Sequence, residues 1–188
     1  TYRTQSRGGR GVNAQNLKDE DYVKSLNIAS THDHMLFFTD NGRVHLRKGY
    51  QIPEAGRTAR GTAIINVLPL DPGEKVSAMV HADDILEEGK HIILITRQGT
   101  MKRMELNILK NIRSTGIRAL SLNEDDVVDQ NVTMSTHDFL LIFTNKGKVY
   151  RIKGFNIPEA SRNAKGIPVI NIINIDKDEK VKALVPIN

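Results

Sequence analysis

Gln5–Gly11 reads QSRGGRG, two arginines and three glycines within seven residues and no side chain suited to a core. Arginine presents a planar fork of donors that grips phosphate or carboxylate oxygens in a bidentate manner, which lysine does not match. Glycine lacks Cβ, so Gly8 and Gly9 tolerate positive φ and let backbone N–H groups approach an anion closely. Gln5 adds an amide for a phosphate or for the loop itself. The chemistry such a stretch supports is anion binding. A glycine pair also serves tight turns, and Arg-Gly-Gly is an RNA-binding tag in disordered chains, where it recurs in tandem; here it stands once. A nucleotide-binding P-loop requires Gly-Lys-Ser/Thr opening a helix, and that is missing.

Further cations recur along the chain. Between Asp40 and Gly61 lie Arg43, Arg47, Lys48, Arg57 and Arg60, against the acids Asp40 and Glu54. A second group comprises Arg97, Lys102, Arg103, Lys110, Arg113 and Arg118, and a third Lys146, Lys148, Arg151, Lys153, Arg162 and Lys165. Acids collect elsewhere, in KDED at 18–21, DPGE at 71–74, NEDD at 123–126 and DKDE at 176–179. The net charge is +5 and the pI is near 9.5. The modest total therefore conceals sorted charge. Repetition around a common fold predicts a basic band along one edge, acidic turns along another, and a polyanion such as duplex DNA as partner.

The elements that position these residues repeat. Residues 31–80 and 136–185 align without a gap and are identical at half of their 50 positions. A weaker copy spans 91–134 and a half copy leads the chain, where Gly11 matches Gly61, Gly116 and Gly166. The units are 1–30 (a half), 31–82, 83–134 and 135–188, and repeats of ~20–50 residues signify solenoids, propellers or arrays. HMLFFT, HIILIT and FLLIFT pass through DNG, RQG and NKG into RVHLRK, TMKRME and KVYRIK. Two apolar runs joined by a turn ending in Gly predict a β-hairpin. A Gly- and Pro-bearing linker follows, then a third strand (TAIINVL), an acidic turn and a fourth strand (KVSAMV). MELNILKNIR alone has any helical pattern, and it is read as non-helical. The fold class is all-β: a propeller-like array of four-stranded blades, about three full blades plus part of another. Since closed rings hold ~4–8 blades, the chain is expected to form an arc of a larger ring. It lacks an initiating Met, as expected of a processed product or part of something longer.

Several chemistries are set aside. The absence of Cys excludes disulfides and Cys-ligated zinc and points to a reducing compartment. No apolar run approaches the ~18 residues of a spanning helix. His32, Asp33 and His34 suggest a metal site, but the twin THDF loses the second His, so strand-entry structure is expected. Tyr50 aligns with Phe155 and Tyr150 with His45, so no repeated hydroxyl supports a tyrosine nucleophile; Tyr2 and Tyr22 have no better case. No paired carboxylates and no Ser/His/Asp arrangement stand out.

QSRGGRG, followed by THDHMLFFTDNGRVHLRKGYQIPEAGR, resembles the C-terminal domain of DNA gyrase A, over essentially the whole chain. That family carries a box of the form Gln-basic-Arg-Gly-Gly-basic-Gly on a six-bladed β-pinwheel. The resemblance implies a single β-pinwheel domain over 1–188. It would bind duplex DNA on its outer rim without sequence preference and wrap it with positive handedness. The parent ATP-dependent type II topoisomerase then introduces negative supercoils. The resemblance assigns Gln5, Arg7, Gly8, Gly9, Arg10 and Gly11 to the box; Ser6 stands where the family has Arg or Lys. The expected rim is Arg43, Arg47, Lys48, Arg57, Arg60, Lys102, Arg103, Arg113, Arg118, Lys146, Lys148, Arg151, Lys153, Arg162 and Lys165. No catalytic residue, metal or cofactor is expected in this chain, ATP and Mg2+ being bound elsewhere in the parent. The expected partners are DNA, the breakage-reunion part of gyrase A and the gyrase B protein, in the bacterial cytoplasm at the nucleoid. The corresponding domain of topoisomerase IV is the alternative within DNA metabolism, though its box tends to be degraded. A protein-binding propeller of the WD40 or kelch kind is the alternative outside it, without the Trp-bearing signature.

Overall fold

The structure is a computed structural model that describes residues 33–55, 61–62, 64–81, 85, 87–161 and 164–188. Each hairpin forms where the apolar runs meet at glycine. Strand β1 (His34–Thr39) turns into β2 (Arg43–Lys48), β4 (Lys90–Thr96) into β5 (Thr100–Glu105), and β8 (Phe139–Thr144) into β9 (Val149–Lys153). Gly42, Gly99 and Gly147 occupy the turns at φ of +86°, +92° and +73°, a conformation that costs other residues ~1–2 kcal/mol. Each donates its N–H to the Thr that ends the preceding strand, at 3.0–3.2 Å.

Among the described residues three antiparallel sheets result. The first has the order β3 (Val76–His81), β1, β2, β6 (Ile117–Arg118). The second runs β7 (Val128–Ser135), β4, β5, β10 (Ile167–Pro168), and the third β11 (Val181–Ile187), β8, β9. Strand β7 packs against both β3 and β11, which sets these three on the inner side of the arc. The short strands β6 and β10 close the outer side.

The outer strands revise the expected blade. β6 belongs to the repeat unit of the second hairpin yet pairs with β2 of the first, and β10 of the third unit pairs with β5 of the second. Successive units interlock. The apolar stretch read as a third strand supplies two paired residues and then leaves the sheet in a 3-10 turn, Val169–Asn171 in the third unit. Turning there directs Val169 and Ile173 into the core, where a straight strand would have carried them past it. MELNILKNIR contributes only the 3-10 turn Leu106–Leu109, whose two leucines are buried.

The core lies between blades. Leu36 and Phe38 pack with Ile92, Leu94 and Met104 of the next sheet, and Ile93, Ile95 and Met101 with Leu140 and Ile142 of the third. A strand with apolar residues on both faces gains ~1.5–3 kcal/mol per large side chain only when both are covered. This explains the near-continuous apolar runs of β1, β4 and β8.

Candidate nucleic-acid interface

The hairpin cations divide by environment. Lys102 is 1% exposed. It follows that this lysine is absent from the rim: its Nζ donates to Ala119 O at 2.6 Å and Ala164 O at 3.1 Å. Burial lowers its pKa from 10.5 to about 8. Arg47 is also inside, its guanidinium donating to Ser114 O (2.9 Å), Leu46 O (2.8 Å) and Val67 O (3.3 Å). Arg103 is buried between blades, with Nε donating to Ile157 O at 2.6 Å and Nη1 at 3.0 Å from His91 Nδ1. These three were expected on the rim and are corrected to internal positions, where carbonyls replace water around the charge.

Arg43 and Lys146 stand at hairpin turns beside the acidic turns of their own units. Arg43 Nη1 lies 2.9 Å from Glu74 and 3.3 Å from Asp71, while Nη2 donates to Thr115 O at 2.6 Å. Lys146 Nζ lies 3.0 Å from Asp176 and 2.8 Å from Asp178, contacts that raise its pKa above the ordinary lysine value. The acidic turns therefore adjoin the basic hairpin tips in these two blades, correcting the expectation of separate edges.

One acid of each acidic turn among the described residues is a strut. Glu74, Asp126 and Glu179 are buried. Thr39 donates to Glu74 at 2.6 Å, Thr144 donates to Glu179, and Asp126 accepts from the Gln98 and Val127 amides, both at 2.9 Å. Burial opposes ionisation of Glu74, but the bonds from Thr39 and the Asp71 amide, with Arg43 nearby, hold it below the ordinary range. Glu179 is lowered chiefly by its bond from Thr144.

The remaining expected cations face outward. Arg113 lies exposed on the segment leading into β6, and Arg118 ends that strand, exposed as well and donating to Asn41 O at 3.2 Å. Lys110, exposed on the same segment, joins them. Lys165 precedes β10 and donates to Asn123 Oδ1 at 3.0 Å. Lys148 is exposed just before β9, the outermost strand of the third sheet; Arg151 is exposed on that strand and Lys153 half-buried. Arg151 and Lys153 flank the Phe139 ring at 3.6 and 3.8 Å from its centroid. Lys48 ends β2 in solvent, 6.0 Å from the exposed Tyr50 ring. The outer side thus carries Lys110, Arg113, Arg118, Lys148, Arg151 and Lys165. Gln5, Arg7, Gly8, Gly9, Arg10, Gly11, Arg57, Arg60 and Arg162 lie outside the described residues.

Asp33 binds His81 Nε2 at 2.8 Å, joining the strand-entry loop to β3. No group of three or more metal-ligating side chains occurs among the described residues. No helix among them is long and apolar enough to cross a membrane. Of the buried cations, Arg47 carried a sequence signal: it aligns with Met104 and Ile152, core residue types at the same repeat position.

A family model described as DNA gyrase C-terminal domain, beta-propeller, matches residues 1–30, 33–82, 90–129 and 138–188. The DNA gyrase A protein of Clostridium acetobutylicum is 41% identical over 168 residues, covering 89% of this chain and 20% of that protein. Its counterpart in Haloquadratum walsbyi is 41% identical over 181 residues, 93% of this chain and 21% of the relative. The chain spans about a fifth of the length of these relatives. Among solved structures, a DNA gyrase A C-terminal domain matches with a TM-score of 0.72 at 20% identity, over 89% of this chain and 53% of that one. The C-terminal domain of a DNA topoisomerase IV matches with a TM-score of 0.69 at 21% identity, over 84% of this chain and 48% of that one, a likeness of fold. With a family match that spans nearly every repeat unit and relatives at this identity, the chain belongs to the DNA gyrase A C-terminal domain family.

Proposed function

We propose that this chain binds and bends duplex DNA around its outer side, as the wrapping module of a gyrase A protein. The observation that carries the proposal is the outward placement of Lys110, Arg113, Arg118, Lys148, Arg151 and Lys165, while Lys102 and Arg103 face inward. Cations on the convex border of an arc meet successive phosphates of a bent duplex, and charge of this kind reads the backbone whatever the sequence. Bending 20–30 bp smoothly costs on the order of 1–6 kcal/mol, which phosphate contacts and counterion release must offset.

In this reading the chain does no chemistry. It presents a wrapped segment to the breakage-reunion part of gyrase A, with ATP and Mg2+ acting elsewhere in the enzyme and gyrase B as partner, in the cytoplasm at the nucleoid. The Gln5–Gly11 box is assigned to the same task, Arg7 and Arg10 gripping phosphates and Gly8, Gly9 and Gly11 admitting the backbone. The rim residues Arg57, Arg60, Arg162, Lys48 and Lys153 belong to it as well. The topoisomerase IV match supports a second reading, in which the module bends DNA without driving negative supercoiling.

Gel shifts with linear duplex at 50 and 200 mM salt test the binding. Neutralising ~6–10 phosphates predicts a ~10³–10⁵-fold loss of affinity across that range. Arg113→Ala with Arg118→Ala should weaken binding alike for unrelated sequences and reduce the salt slope by about 2. Salt-independent binding, or affinity untouched by the double change, refutes the reading. Topology assays on the parent enzyme separate negative supercoiling from relaxation alone.

A further inference from the structure

Two aromatic rings stand outside the cores between blades. Tyr50 and Phe155 occupy one repeat position and are 62% and 57% exposed. Each follows the glycine that opens a 3-10 turn, Gly49–Gln51 after β2 and Gly154–Asn156 after β9. The two turns are tied down alike. Gly49 N–H donates to Asp33 O and Gly154 N–H to Asp138 O, both at 2.9 Å. Ile52 and Ile157 N–H close back on the two glycines at 3.1 Å. A Cβ on Gly154 would fall 3.0 Å from Met134 Cε and 3.1 Å from Ser135 O, so the glycine lies against the blade and the ring after it is sent outward.

Single exposed apolar side chains are ordinary on protein surfaces. This pair differs in three respects. The fold does not require the ring, because the second blade makes the corresponding turn, Leu106–Leu109, with Asn107 in its place. Neighbouring blades do not cover the position either. Tyr50 keeps its exposure with the following blade packed on its own, and Phe155 with the preceding one. Finally, cations stand beside both rings. Lys48 Nζ lies 6.0 Å from the Tyr50 ring. The segment bearing Arg113 runs back along β2 toward it, held by Arg47 through Ser114 O at 2.9 Å. In the third blade the strand leading to Phe155 carries Arg151 and Lys153.

We propose that Tyr50 and Phe155 are wedges that enter the minor groove of the bound duplex and fix where it bends. The proposal rests on the DNA-binding reading above. Cations beside each ring hold the phosphates that border the groove, and the ring between them partly unstacks a base step. Every base has a π-face, so the contact adds affinity and curvature without sequence preference. It releases no counterion, and its contribution is therefore insensitive to salt, unlike that of the cations. The second blade, with Asn107, lets the duplex pass without a wedge.

Binding of the 188-residue chain to linear duplex is measured from ~50 to ~200 mM salt, and bending by energy transfer between dyes at the duplex ends. Phe155→Ala and Tyr50→Ala should each lower affinity at least ~5-fold at every salt concentration, the loss expected for one base stack. The salt slope should stay as it was and the bend should relax, whereas Arg113→Ala changes the slope. Phe155→Tyr should restore affinity and bend. The chain has no Trp, so Phe155→Trp supplies a single indole whose emission should be quenched as duplex saturates it. Melting curves confirm that each variant folds. Affinity and bending unchanged in both alanine variants, or an indole unaffected by duplex that the gel shift shows to be bound, overturns the proposal. So does lost supercoiling by the parent enzyme with DNA binding and bending intact, which would assign the rings to a protein surface. Absence of any binding at ~50 mM salt by the unsubstituted chain refutes the DNA-binding reading itself, and this proposal with it.

Discussion

Replacing Lys102 by methionine tests whether the internal cations bear a burial cost. The ammonium is enclosed by β5 and by two outer segments, Ala119 belonging to the one over the first hairpin and Ala164 to the one over the second. Burial lowers its pKa from 10.5 to about 8. A group whose pKa is lower folded than unfolded binds fewer protons in the native state between those two values. Stability conferred by this site must therefore rise with pH through that interval. The slope is at most about 1.4 kcal/mol per pH unit, and the whole interval is worth about 3 kcal/mol. Below pH ~8 the native state carries the charged lysine and bears the full cost.

Methionine has similar length, no charge and no titration, but it leaves the Ala119 and Ala164 carbonyls without the ammonium. Unsatisfied acceptors cost ~1–3 kcal/mol, comparable to the burial cost removed, so the variant should lie within about 2 kcal/mol of the parent at pH 7.5. The decisive quantity is the difference between parent and variant in urea unfolding at pH 7.5, 8.5, 9.5 and 10. Lys146 and Tyr150 have raised pKa values and titrate in both proteins, so their contribution cancels. The parent should gain about 2.4 kcal/mol on the variant across the series. A difference constant to within about 0.5 kcal/mol would show that the ammonium is hydrated in solution and would refute an internal Lys102.

His45 predicts the acid limb. Its ring is fully buried, both nitrogens lack a hydrogen-bond partner, and burial together with Arg43 and Arg47 lowers its pKa, while Glu74 alone acts the other way. The unfolded chain then holds the extra proton, so stability falls as the pH drops below about 6.5, by up to ~1.4 kcal/mol per unit. His91, lowered by burial and Arg103, contributes with the same sign. Comparing thermal unfolding of His45→Phe and the parent at pH 7.5 and 5.5 should show the smaller loss in the variant; equal losses exclude His45 as a source. Gly166→Ala tests the interlock, because its Cβ would fall 2.5 Å from Met101 O at φ +91°. It should cost at least about 2 kcal/mol in chemical denaturation, whereas Gly147→Ala, with the same hand of backbone but nothing within 4 Å, should cost ~1 kcal/mol.

The hairpins were legible because their signals are local: a Gly at a fixed place between two apolar runs selects a turn that only positive φ allows. The interlock was not. A repeat that pairs its outer strand with its own hairpin and one that pairs it with the preceding hairpin have the same period, so self-similarity cannot distinguish them. The inward cations were obscured for a related reason. Arg103 and Arg151 occupy one repeat position, yet Arg103 is buried and Arg151 exposed, because nothing among the described residues covers the third blade's forward face. Charge counted along a strand gives the number of cations per unit. Which of them reach solvent depends on what the next unit lays over them.

That dependence joins fold and surface. The outer segment bearing Lys110, Arg113 and Arg118 is held to the first hairpin from beneath, by Arg47 through Ser114 O and by Arg43 through Thr115 O. Inward cations fix the backbone from which outward cations project. The two sets respond differently to salt. Charges in solvent are screened over a Debye length of about 10 Å at 0.1 M, whereas buried charges bonded to carbonyls are screened far less. Raising ionic strength should therefore release a polyanion from the outer side while leaving the curvature of the arc, and the spacing of its outward cations, in place. A surface of this construction can exchange a phosphate backbone without being rebuilt each time.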